Sequence, residues 1–134
     1  MTDLQIEDAT EIVTKASPRS VYETVTHLVE LLRERTLKLF AVIDQGAEAR
    51  AVGLELRDTV LVVFGNPAAG TSVMAAVPLA ALDLPLKVLV WDNDGQTLVS
   101  YLRPSALARR HQVPAELATE LAGIDPLTDA LVSP

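Results

Sequence analysis

One stretch of the chain, from Thr59 to Leu82, carries no charged residue and limits the folds that are open to it. The stretch is long enough to cross a bilayer. However, Gly65, Pro67, Gly70 and Pro78 interrupt it, and lipid leaves the polar groups of an interrupted backbone without partners. The stretch therefore predicts the buried centre of a soluble domain and no membrane span.

The composition excludes several classes of function. The 134 residues suit a single domain, and 49% of them are hydrophobic, enough for a core. The absence of cysteine excludes disulfides, thiolate catalysis and cysteine zinc sites. A net charge of −7 disfavours nucleic-acid binding. Because the first residues lack the pattern of a signal peptide, we expect a cytoplasmic protein.

The hydrophobic periodicity predicts an α+β fold in the order β-α-β-α-β-(α)-β-β-α-α, with a mixed or antiparallel sheet of about five strands. Ser17-Pro18, a capping hydroxyl followed by proline, predicts the start of the first helix. We expect one domain over residues 1–134, with a flexible N-terminus at 1–8 and a helical C-terminal extension at 113–134. The predicted strands are 9–16, 37–43, 59–64, 86–91 and 97–102, and the later helices are 47–52, 104–111, 114–122 and 125–132.

The segment Val63 to Met74, VFGNPAAGTSVM, has glycines and a hydroxyl at the spacing of a phosphate-binding P-loop. Thr71 stands where the P-loop lysine would be, and Pro67 removes a backbone donor, so we exclude nucleotide hydrolysis. Two interpretations stay open. Gly70-Thr71-Ser72 opens a helix whose amides bind a small anion, or the glycines permit a tight path and Thr71 or Ser72 caps a helix.

Few side chains outside this segment favour chemistry. His27 and His111 are too isolated to predict a metal site. Asp44 follows a predicted strand, where it is either a general base or the cap of a short helix. Asp83 and Lys87 flank Leu84-Pro85 and either pair with each other or have a functional role.

From Ala16 to His111 the sequence resembles the DUF302 family of small bacterial and archaeal proteins, most specifically in FGNP (64–67), GTSVM (70–74) and DLPLK (83–87). The resemblance implies a single α+β domain, favours a homodimer and supplies no established reaction. Where the family commonly has Asp-His, this chain has Asp44-Gln45, so a role for that histidine is lost. It also implies that the signature residues Asp44, Asn66, Thr71, Met74, Asp83 and Lys87 cluster in space.

Our leading hypothesis is therefore a binding or regulatory domain for a small polar or anionic ligand. The alternatives are a small hydrolase or isomerase with Asp44 as general base, and a dimerisation module without a ligand. The sequence indicates no particular cofactor. In the ligand site Asn66 and Thr71 would donate or accept hydrogen bonds, Lys87 would balance charge and Met74 would form an apolar wall, with Asp44, Gly70 and Asp83 beside them.

Overall fold

A computed structural model describes residues 11–134, which form one five-stranded sheet in the order β1-β5-β4-β3-β2. Each neighbouring pair is antiparallel. The predicted α+β class and element order are confirmed, and the sheet is antiparallel throughout. The expected flexible segment 1–8 and the start of the first predicted strand lie outside the described residues. The strands are β1 (Ile12–Ser17), β2 (Lys38–Asp44), β3 (Thr59–Gly65), β4 (Leu86–Asn93) and β5 (Gln96–Leu102).

The helices in residues 11–134 are short apart from the first. No helix in this part of the chain combines the length and the apolar character that crossing a membrane requires. The helices are α1 (Val21–Glu34), α2 (Gln45–Ala51), α3 (Pro67–Ala76), α4 (Pro104–His111), α5 (Ala115–Ala118) and α6 (Ile124–Leu131), with 3₁₀ turns at Pro78–Asp83 and Thr119–Leu121.

The first helix begins three residues later than its sequence signal indicates. Ser17 still pairs with Thr97 in the sheet, so its backbone cannot open a helix. Instead Ser20 accepts a hydrogen bond from the Glu23 amide at 3.1 Å, and the Glu23 carboxylate accepts one from the Ser20 amide at 3.0 Å. This reciprocal pair is a capping box and fixes the start of α1.

The segment after β3 is a helix that begins at Pro67, which is earlier than either sequence-based interpretation placed its start. Asn66 is the cap: its side-chain oxygen accepts from the amides of Ala68 at 3.0 Å and Ala69 at 3.3 Å. Pro67 occupies the first helical position, where its missing amide costs nothing. The Gly70 amide donates to the Asn66 carbonyl at 2.9 Å. Gly70 therefore lies inside the helix, and its amide is not available to an anion.

The main core lies on one face of the sheet, under α1 and α6. Alternate residues of the strands point into it, including Val60, Val62 and Phe64 of β3. A smaller core joins α3, α4 and the segment after α4 beyond the end of the sheet, around Val73 and Leu107. Residues 113–134, expected as an extension, supply buried side chains to both cores: Val113, Leu121, Ile124, Leu127 and Leu131.

Candidate functional site

A cleft of about 280 Å³ opens between the two cores, where α3 leaves the sheet. The end of β3 and the start of β4 form one wall, α3 forms a second, and the segment from Glu120 to Ile124 closes the site. The lining residues are Leu37, Phe40, Phe64, Gly65, Asn66, Pro67, Ala69, Gly70, Thr71, Met74, Leu84, Pro85, Leu86, Glu120, Leu121, Gly123 and Ile124.

The cleft has a buried floor and an exposed rim. Phe64, Leu121 and Ile124 at the floor are at most 3% exposed. At the rim, Phe40 is 46% exposed, and Thr71 is also open to solvent. The floor positions follow from strand alternation and helix packing, which turn these side chains inward. A small molecule could therefore enter from solvent and contact apolar side chains that are already in place.

The polar groups of the cleft are few and carry no positive charge. Asn66, Thr71 and Glu120 are the polar side chains among the lining residues, and none of these residues is Lys, Arg or His. The Asn66 oxygen is committed to capping α3. Within residues 11–134 the Thr71 hydroxyl makes no hydrogen bond to the protein, so it can serve a ligand. The arrangement suits an apolar molecule with a hydrogen-bonding group and disfavours an anion.

The structure brings together four of the seven residues predicted to form the site, Asn66, Gly70, Thr71 and Met74, because α3 carries or adjoins all of them. Asp44 is remote from them. In the antiparallel β2–β3 pair, Lys38 lies opposite Gly65 and Asp44 lies opposite Val60. Five residues of strand at about 3.4 Å each place Asp44 about 17 Å from the end of β3.

Asp44 has a structural role at the start of α2. Its carboxylate accepts a hydrogen bond from the Ala47 amide at 2.9 Å and another from the Tyr22 hydroxyl at 3.0 Å. The Ala47 amide in particular holds the pKa of Asp44 below its ordinary value of 3.8. A general base works best with a pKa near the operating pH, so this environment favours the capping interpretation over catalysis.

Asp83 and Lys87 do not pair with each other. The Asp83 carboxylate contacts His111 Nε2 at 2.6 Å and accepts from Arg110 at 3.0 Å, which ties the 3₁₀ turn before β4 to the end of α4. The His111 hydrogen bond, together with Arg110, lowers the pKa of Asp83 below 3.8. Lys87 is exposed on the sheet, and it makes no ion pair with any of residues 11–134.

Sequence reasoning missed most of the apolar lining. Phe40, Leu84, Leu121 and Ile124 come from four separate parts of the chain, and each resembles an ordinary core residue in sequence. Leu84 and Pro85 belong to the DLPLK motif, which was the one available signal. The sequence analysis assigned the charged residues of this motif to the site, whereas Leu84 and Pro85 at its centre line the cleft.

Comparisons with known proteins fit this architecture. The family model described as "Domain of unknown function DUF302" matches residues 13–131. The crystal structure of an uncharacterized conserved DUF302 protein from Bacillus stearothermophilus is similar with a TM-score of 0.77 and 20% identity, covering 90% of this chain and 94% of that one. At this identity the likeness concerns the fold.

Curated relatives are longer than this chain. "Fluoride-specific ion channel FluC 1" of Brucella suis biovar 1 (strain 1330) is 36% identical over 103 residues, which are 76% of this chain and 41% of that protein. The FluC 1 protein of Brucella abortus biovar 1 (strain 9-941) matches equally over 38% of its length. The chain thus spans about two fifths of these relatives.

Proposed function

The chain belongs to the DUF302 family, and we propose that it is a binding domain whose cleft holds a small, largely apolar molecule with one hydrogen-bonding group. The observation that carries this proposal is the cleft of about 280 Å³ with a buried apolar floor. Small-molecule sites are typically concave and mostly apolar, with a few polar groups that set orientation, and begin at roughly 300 Å³. The cleft, at about 280 Å³, lies just below that range.

The charge of the ligand follows from the lining. Among residues 11–134, Glu120 is the one ionisable residue that lines the cleft, and its carboxylate would repel an anion. Lys87, which was expected to balance an anionic ligand, is not among the lining residues. The first amides of α3 already donate to Asn66, so they do not form an anion site. We therefore replace the polar or anionic ligand expected from the sequence with a neutral or cationic one.

The relatives support a regulatory setting for this binding. In the Brucella proteins named as fluoride-specific channels, a segment similar to this chain makes up about two fifths of the protein. A small domain that senses a ligand beside another activity would explain that arrangement. Fluoride itself does not suit the cleft, because no cationic side chain of residues 11–134 lines it. A cytoplasmic location stays a prediction.

The test is a thermal-shift screen of the full chain with neutral probes (indole, benzyl alcohol, cyclohexanol) and with fluoride and inorganic phosphate. A probe at a hundred times its dissociation constant should add about 2.7 kcal/mol to the free energy of unfolding. For a domain of this size that corresponds to an increase of roughly 5–15 °C in Tm. We expect such an increase from at least one neutral probe and none from the anions.

Substitutions at Gly70 test whether a probe that raises Tm binds in the cleft. A Cβ added at Gly70 would meet Met74 Cε at 3.8 Å, an ordinary contact. Gly70→Ala should therefore keep the cleft, whereas Gly70→Leu should fill part of it and abolish the Tm increase. The proposal is wrong if only the anions raise Tm, if no probe does, or if the increase survives in Gly70→Leu.

A further inference from the structure

The helix α6 closes the cleft through its first residue. Ile124 is 2% exposed and lines the cleft floor, and the 3₁₀ turn at Thr119–Leu121 leads into it. The N-cap residue of α6 is Gly123, which has no side chain to accept hydrogen bonds from the first turn as a serine or an aspartate would. The orientation of this turn, and with it the floor of the cleft, therefore depends on contacts from other elements.

Lys15 of the edge strand β1 supplies such contacts. Its ammonium group contacts the Asp129 carboxylate at 2.8 Å and donates to the Thr128 hydroxyl at 2.7 Å and to the Asp125 carbonyl at 3.2 Å. The same ammonium group lies 5.3 Å from the centre of the Tyr101 ring, within the range of a cation–π contact. One side chain of the sheet thus bonds three residues of α6.

A chain of hydrogen bonds leads from Lys15 to the cleft floor. The Thr128 hydroxyl, which accepts from Lys15, donates to the carbonyl of Ile124 at 2.8 Å. Thr128 is fully buried. Tyr101 adds a second contact to the same turn, since its hydroxyl donates to the Asp125 carboxylate. Hydrogen bonds in series strengthen one another in a low-dielectric interior, so the position of Ile124 depends on Lys15 through Thr128.

The stability of the fold does not require a lysine at this position. The Lys15 side chain is only 19% exposed, and removing a charge from water costs free energy. An apolar residue packed on the same helix often serves stability as well or better. A satisfied polar network instead favours one arrangement, because a shifted helix would leave buried groups without partners. Lys15 therefore suits a helix whose placement matters for binding.

We propose that Lys15 is a positioning residue for the cleft: through Thr128 it holds Ile124 where that side chain closes the floor. This inference rests on the proposed ligand-binding function. Without the bonds from Lys15, α6 keeps its apolar packing on the main core, but its first turn is free to shift. The floor then fits a ligand less closely, and affinity decreases although the fold remains.

Arg19 provides a matched comparison at the other end of α6. Its guanidinium group donates to the carbonyls of Leu131 at 3.1 Å and Ser133 at 3.2 Å. Lys15 and Arg19 are therefore both long cationic side chains that bond the same helix. Leu131 follows Ile124 by seven residues, which at 1.5 Å each is about 10 Å along the helix. Loss of the Arg19 bonds should loosen the end of α6 without moving the cleft floor.

The test measures the dissociation constant of whichever neutral probe (indole, benzyl alcohol or cyclohexanol) raises Tm most, by calorimetric titration of folded protein. Lys15→Met should raise this constant about tenfold, the equivalent of one lost hydrogen bond to a charged group. Arg19→Met should change it by less than about twofold, whatever its effect on Tm, and Lys15→Arg should stay within about threefold of the wild-type value. An unchanged constant in Lys15→Met, or equal increases in the two methionine variants, overturns the proposal.

A second measurement separates this inference from the proposed function. Amide hydrogen exchange, followed by NMR in the wild-type chain and both methionine variants, needs no ligand. Lys15→Met should speed exchange more in residues 124–128 than in 129–133, and Arg19→Met should do the reverse. If no probe binds the wild-type chain but exchange follows this pattern, the proposed function fails and the positioning of α6 stands. If probes bind and exchange does not follow it, the positioning role alone fails. Tyr101→Phe, which loses only its hydroxyl bond to α6, replaces Lys15→Met in both measurements if that variant does not fold.

Discussion

Replacing Asn66 with alanine isolates the interaction that shapes the cleft. Asn66→Ala removes the acceptor for the amides of Ala68 and Ala69, and the loss of a helix cap costs about 1 kcal/mol of unfolding free energy. An entropy of unfolding of about 2.1 cal/mol/K per residue gives about 280 cal/mol/K for this chain. The expected decrease in Tm is therefore about 3–4 °C.

The assay is thermal and urea-induced unfolding followed by circular dichroism, with Asn66→Asp and Asn66→Ser as controls. Both controls retain an oxygen that can cap α3, so their free energies of unfolding should stay within about 0.5 kcal/mol of the wild-type value. If Asn66→Asp is destabilised as much as Asn66→Ala, or if Asn66→Ala is not destabilised, the capping role inferred from the hydrogen bonds is refuted.

Two further substitutions test local features. Gly70→Ala should raise the free energy of unfolding by about 0.5–1 kcal/mol, because glycine inside a helix is entropically costly and the added Cβ meets no clash; unchanged or lower stability in urea would contradict this. Asp83 has a lowered pKa, so it stabilises the fold above pH 3.8 and this contribution is lost as the pH falls through the depressed folded-state pKa. Asp83→Asn should therefore destabilise the chain at pH 7 and reduce the loss of stability as the pH falls. The measurement is the urea midpoint at a series of pH values. An unchanged pH dependence would contradict the Asp83–His111 contact.

The strands were predictable because their residue types and the alternating spacing of their apolar residues both indicate β-structure. In β3, Val60, Val62 and Phe64 alternate with less buried residues, and β-branched residues favour strands. The turn between β4 and β5 has an equally explicit sequence signal in Asp94-Gly95, and Gly95 has the positive φ of 94° that such a turn requires. These elements depend on local sequence, so one sequence was enough to find them.

The start of helix α3 was predicted too late in the chain although its start signal, Asn66-Pro67, is explicit. The spacing of the two glycines resembles that of a P-loop. The helix start was therefore predicted at Gly70 and Thr71, whereas the cap is Asn66. The uncharged sequence of α3 gave no amphipathic pattern to correct the error, since small residues such as Ala68 and Ala75 fill its exposed positions. Pattern reasoning failed here because only Val73 of α3 is fully buried, whereas Ala68, Thr71 and Ala75 are open to solvent without being charged.

The site was partly mispredicted because strand direction cannot be read from these residues. In a parallel pair, the ends of β2 and β3 would meet at one edge of the sheet, and Asp44 would adjoin Gly65. The antiparallel pairing places Lys38 opposite Gly65 instead, and so sends Asp44 to the far end. The floor of the cleft shows the same limit, since Phe64, Leu121 and Ile124 are brought together only by the packing of α6 and its preceding turn on the sheet.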